Sequence, residues 1–111
     1  MNLTEIYAVA RDIDKQIHRV PQSHPSKRHL DAWANAELSN PEEANSALDH
    51  AQAALRSCVE RDGQSQVAGT VAMAAWLVTS GAMETESEQQ DMFLEAAKQS
   101  IESLTPTRYD W

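Results

Sequence analysis

Apolar residues along this chain recur at intervals of three and four, the period of a helix with one buried face. Ile6, Ala10, Ile13, Ile17 and Val20 trace the first such stripe and predict a helix from about Leu3 to Arg19, capped by Asn2 or Thr4. Pro21 ends it, and the segment Pro21-Gln22-Ser23-His24-Pro25-Ser26 reads as a loop. Ser26 is placed to cap a short second helix reaching about Leu38, with Leu30, Trp33, Ala34 and Leu38 turned inward. The next boundary is the clearest in the chain. Asn40-Pro41-Glu42-Glu43 sets a capping side chain, then proline at the first helical position, then two acids beside the positive helix end. The third helix is expected to run to about Asp62 on a stripe of Ala44, Ala47, Leu48, Ala51, Leu55, Cys58 and Val59, with Gly63 as a left-handed terminator.

The fourth segment, about Ser65 to Ser80 with Gly81 closing it, carries no charge at all. A helix that is apolar all round is buried, either at the centre of its domain or across a subunit contact. A fifth helix begins near Thr85 or Ser87, where Thr85-Glu86-Ser87-Glu88 matches a capping box, and Pro106 stops it. Met92, Phe93, Ala96, Ala97, Ile101 and Leu104 form its expected inner face. No strand alternation and no repeat interrupts this pattern. The expectation is therefore an all-α, single-domain, compact bundle of about five helices over residues 1–106, followed by a short C-terminal tail, 107–111.

Composition makes the core of such a bundle thin. Leu, Ile, Val and Phe supply 19 of 111 residues, while Ala alone supplies 17. Alanine buries little area, and burial stabilises at roughly 25 cal/mol per Å²; pairing with itself or with a partner would add to it. One cysteine, Cys58, excludes an internal disulfide. The start of the chain lacks the basic and apolar run of a signal peptide, and Val67–Val78 is too short for a bilayer, which needs about 20 residues. These features point to a cytoplasmic protein that does not enter a membrane.

Charge separates the function classes further. The net charge of −8 argues against direct nucleic-acid binding, which needs a basic footprint, and against anionic membrane surfaces. Its layout is uneven: five Lys/Arg stand against three acids in residues 1–29, and four against fourteen in residues 30–111. Lys15, Arg19, Lys27 and Arg28 gather around the Pro-rich loop and suggest a basic corner suited to docking on a charged partner. Arg108, Tyr109 and Trp111 in the tail are residue types frequent at binding hot spots. Val71, Ala75 and Trp76 on the uncharged fourth helix are candidates for self-association as a homodimer.

Catalytic chemistry finds little support. His18, His24 and His29 near Asp31 cross a helix end and a loop at spacings that match no standard zinc pattern, and His50 stands apart. Cys58 sits on an apolar stripe, and three glycines make no phosphate loop. No metal site, cofactor or catalytic residue is expected. The reading is an acidic intracellular protein that binds another protein noncovalently, as a regulator, inhibitor or adaptor. One alternative is a nucleic-acid mimic that inhibits a nuclease or a DNA-binding complex; another is an enzyme with a His-rich site.

Overall fold

The Asn40 side chain accepts hydrogen bonds from the amides of Glu42 (3.0 Å) and Glu43 (3.3 Å), so the strongest boundary in the sequence is a working N-cap. A computed structural model describes residues 3–58 and 63–104, which form the expected all-α bundle of five helices. They are α1 (Leu3–Ile17), α2 (Lys27–Ala34), α3 (Pro41–Arg56), α4 (Gly63–Met83) and α5 (Ser87–Glu102). α4 touches all four other helices, most extensively α5 and α3.

Alanine sets how closely α3 and α4 can approach. Ala44, Ala47, Ala51 and Ala54 of α3 are buried, as are Ala68, Ala72, Ala74 and Ala75 of α4. Larger side chains close the rest of the core: Ile6, Val9, Ile13 and Ile17 from α1, Leu30 and Trp33 from α2, and Leu94 and Ile101 from α5. Trp33 is held by a polar handle as well as by packing. Its Nε1 donates to Thr79 Oγ1 at 2.8 Å, and that hydroxyl donates to the Ala75 carbonyl at 2.7 Å. Both polar groups are thereby satisfied inside the core.

Several boundaries differ from the sequence expectation. α3 ends at Arg56, leaving Cys58 beyond it, and Gly63 opens α4 instead of closing α3; Val59 lies outside the described residues. α4 continues through Gly81 to Met83. A Cβ at Gly81 would stand 3.1 Å from Cβ of Phe93, so this glycine lets α5 pack closely on α4, and it does so within the helix. The capping box does not form: Glu86 occupies the N-cap of α5 without a side-chain bond, while Glu84 Oε1 accepts from the amides of Thr85 and Glu86. Ser26 does not cap α2, because its hydroxyl is bonded to His24 Nδ1 at 2.7 Å. With its extra length, α4 contains an 18-residue window, Gln66–Met83, of mean hydropathy 1.2. By length and composition that suffices to cross a membrane, contrary to the estimate from Val67–Val78, and half of the window is buried against the other helices.

Lys27 is the largest correction within the Pro-rich joint. It is 5% exposed, with Nζ donating to the Ile17 carbonyl at 2.9 Å and lying 3.6 Å from the Asp31 carboxylate. Its ammonium therefore sits at the negative end of α1 and ties that end to α2. Lys27→Ala is expected to cost about 1–3 kcal/mol, through the lost charged hydrogen bond and the packing of its stem. Arg28→Ala, at the exposed neighbour, should stay within about 0.5 kcal/mol. Urea unfolding of the two variants checks this, and equal midpoints would contradict it.

Candidate functional site

The outward side of α4 repeats at helical spacing through Gln66, Thr70, Met73, Leu77 and Ser80, and not one of these residues is charged. Met73 is 42% exposed, and Trp76 and Leu77 are half-buried beside it. The turn from α4 into α5 spans only residues 84–86, so the two helices run antiparallel as neighbours. On α5 a matching uncharged stripe follows Gln89, Met92, Ala96, Gln99 and Ser103. Met92, expected inside, is 65% exposed; the buried line of α5 runs instead through Gln90, Leu94, Ala97 and Ile101. The rings of Trp76 and Phe93 meet edge-to-face at 6.1 Å and join the two stripes.

Three hydroxyls on or beside this face are turned onto their own backbone. Thr70 Oγ1 donates to the Gln66 carbonyl (2.9 Å), Ser100 Oγ to Ala96 (3.1 Å) and Ser103 Oγ to Ser100 (2.6 Å). Glu88 and Glu95, exposed and two turns apart on α5, border it with negative charge. Lys98, the one base within α5, is engaged by Glu5 of α1.

Two grooves elsewhere bring fewer uncommitted groups together. The α1–α5 groove, about 560 Å³, has Val9 and Ile101 between charged walls, where Lys98 pairs with Glu5 and Lys15 with Asp12 (4.0 Å) and Glu102 adds a further carboxylate. A groove of about 470 Å³ at one end of the bundle lies between Leu38, Pro41, Ala82 and the partly exposed Leu3 and Met83.

The residues singled out from the sequence for a basic corner differ in exposure and partners. Lys15 pairs with Asp12. Arg19 Nη1 donates to Gln16 Oε1 (2.8 Å) and to the Leu104 carbonyl (3.0 Å), fastening the end of α1 to that of α5. Lys27 is buried, while Arg28, like Arg19, is exposed without a described ion pair. Val71 and Ala75 are fully buried in the chain's own core, so they offer no surface to a second copy; Trp76 does reach the surface. Arg108, Tyr109 and Trp111 lie outside the described residues.

The histidines part company too. His18 faces Asp14 at 3.9 Å, His24 is buried against Ser26, and His29 stacks near His50 with ring centroids 6.2 Å apart. Among the described residues no three His, Cys, Asp or Glu side chains are grouped so as to hold a metal ion. The His29–His50 pair was invisible in the sequence, because the two residues lie on different helices, α2 and α3. No protein-family model matches the chain, and no curated protein or solved structure matches it either. The functional reading rests on geometry alone.

His29 titrates below its ordinary value of 6.5, first because burial disfavours its charged form and then because Arg28, His50 and Arg56 repel the added proton. The folded chain therefore binds that proton less readily than the unfolded one. The stability this contributes is present above pH 6.5 and is lost as pH falls through that value toward the folded pKa. His29→Gln should make the urea midpoint fall less between pH 7.5 and about 5 than it does in the parent chain. An equal or steeper fall would contradict this.

Proposed function

We propose that this protein works by noncovalent binding of another protein across the α4–α5 face. The observation that carries this reading is the pair of uncharged stripes presenting Met73, Trp76, Leu77, Met92 and Phe93 at least partly to solvent. In a chain with 23% charged residues, a two-helix surface without a single charge is a departure that ordinary solubility does not require. Trp and Met are suited to it: indole supplies a large, stiff contact, and the thioether adapts to the shape of a partner.

Charge selects the occupant. Glu88 and Glu95 border the apolar strip, Asp91 and Glu102 lie on the same helix, and the chain as a whole is at −8. A complementary partner is an amphipathic segment of another protein, with apolar side chains for the strip and Lys or Arg for its carboxylate border. A second copy of this chain fits less well, since it would bring the same acidic border and another −8. Such binding suits a regulator, inhibitor or adaptor, whose effect is exerted by occupying its partner.

The test compares capture from native cell extract by the parent chain, by Met73→Glu/Met92→Glu and by Leu3→Glu, a control at the end groove. Both altered positions in the double variant are exposed, so its fold should persist. Proteins retained by the parent and the control but lost from the double variant, at least tenfold (about 1.4 kcal/mol), are the expected result. Equal retention by all three chains would overturn the assignment to this face.

A further inference from the structure

We propose that the groove at the end of the bundle binds a small aromatic molecule carrying one N–H or O–H donor. The site lies off the α4–α5 face, and it stands whether or not that face binds a protein. Its walls are drawn from elements far apart in the chain. Leu3 comes from α1, Leu38 from the loop ahead of α3, Ala44 from α3, Ala82 and Met83 from α4, and Gln90 from α5. Four helices thus meet around it, which makes a cleft for a small molecule instead of a strip for a partner helix. Its volume of about 470 Å³ falls within the roughly 300–1,000 Å³ of such sites.

Gln90 specifies the ligand. It stands on the buried line of α5, in series with Leu94, Ala97 and Ile101, and is 4% exposed. Its Nε2 donates to the Gly81 carbonyl at 3.0 Å and lies 3.5 Å from that of Glu84. Carbonyls only accept, so these contacts fix which way the amide is turned. The amide oxygen, Oε1, is left on the other side and accepts no hydrogen bond from any described residue. Yet among the described residues no fully enclosed side-chain oxygen or nitrogen lacks a partner. Oε1 therefore opens onto the groove that Gln90 lines. A nearly buried acceptor without a donor is unfavourable, and a donor on a ligand relieves it.

The rest of the groove asks for hydrocarbon. Leu38, Ala44 and Ala82 form its buried floor. Met83 stands partly exposed at the rim, with a thioether suited to the edge of an aromatic ring. Glu84 also borders the groove, but its Oε1 accepts from the amides of Thr85 and Glu86, which leaves Gln90 as the buried polar contact. Indole meets both demands, since its N–H only donates and the remainder is apolar. The chain makes the same kind of pairing inside its core, where Trp33 donates to Thr79. One hydrogen bond and a small ring hold at a Kd of about millimolar, so diluted extract leaves the groove open.

Titration of the isotope-labelled chain with indole and with benzofuran, which keeps the bicyclic frame but lacks the N–H, tests the site by amide NMR. Saturable shifts are expected at Ala44, Ala82 and Gln90, including the Gln90 side-chain amide, while Met73 and Met92 stay put. Indole should bind at least about fivefold tighter than benzofuran, and Gln90→Leu should bring the two within about twofold. N-acetyltryptophanamide, which presents the same ring on a peptide unit, should bind more weakly than free indole. Four results would overturn the proposal: no saturable response up to tens of millimolar indole, shifts confined to Met73 and Met92, equal affinity for the two rings in the parent chain, or tighter binding of the tryptophan amide. A preference for indole that survives Gln90→Leu, in a chain shown folded by circular dichroism, overturns it equally. Should that variant fail to fold, the comparison of the two rings on the parent chain decides alone.

Discussion

Everything in this structure turns on burying one helix that has no charge with which to meet water. α4 packs against all four other helices, and it does so mostly through alanine, valine and glycine. Small side chains bury little area each, so stability comes from close approach over a long contact and from few isolated large anchors. Where large groups do enter, they are pinned. Trp33 fills the centre and hands its indole N–H to Thr79, which passes the bond on to its own helix. Gly81 removes the one Cβ that would hold α5 off. A core of this kind has little to spare, which explains why the ends are stitched by long side chains: Lys27 across α1 and α2, Arg19 across α1 and the end of α5.

The same constraint creates the candidate surface. A helix that must be uncharged to sit inside four neighbours, yet is 21 residues long, cannot be covered on every side by helices of 8 to 16 residues. Its remaining side faces outward, and α5 extends it with a stripe of its own. Core and candidate site are therefore two sides of one helix. The acidic residues Glu88 and Glu95 begin where that stripe ends.

Much of the fold was legible in the sequence because it rests on local chemistry. Apolar periodicity placed all five helices, and Asn40-Pro41 fixed a boundary through a cap that needs only adjacent residues. Features settled by tertiary contact were not legible. Lys27 belongs to a basic run and reads as solvent-facing, but the unsatisfied end of α1 draws its ammonium inward. Gly63 and Gly81 look like helix stops, and both lie within α4, the second because α5 needs the space. Met92 matches an inward period that a shift of the buried line to Gln90 and Leu94 turns toward solvent. The candidate face was half visible: the lack of charge on α4 marked the helix that carries it, while Val71 and Ala75 come from that helix's buried side. A helix without polar residues gives no signal of which face is which, and the contribution of α5 appears only when the two helices are set side by side.

The proposed role of the α4–α5 face is tested most directly by which side chains a partner would cover. Hydroxyl-radical footprinting of the chain, alone and in native cell extract, reads this residue by residue through mass spectrometry. With the α4–α5 face as the binding face, Met73, Trp76 and Met92 should be oxidised in the isolated chain and protected in extract, while Leu3 and Met83 at the end of the bundle react equally in both. Unchanged oxidation at Met73 and Met92 in extract, or protection confined to Leu3 and Met83, would contradict it.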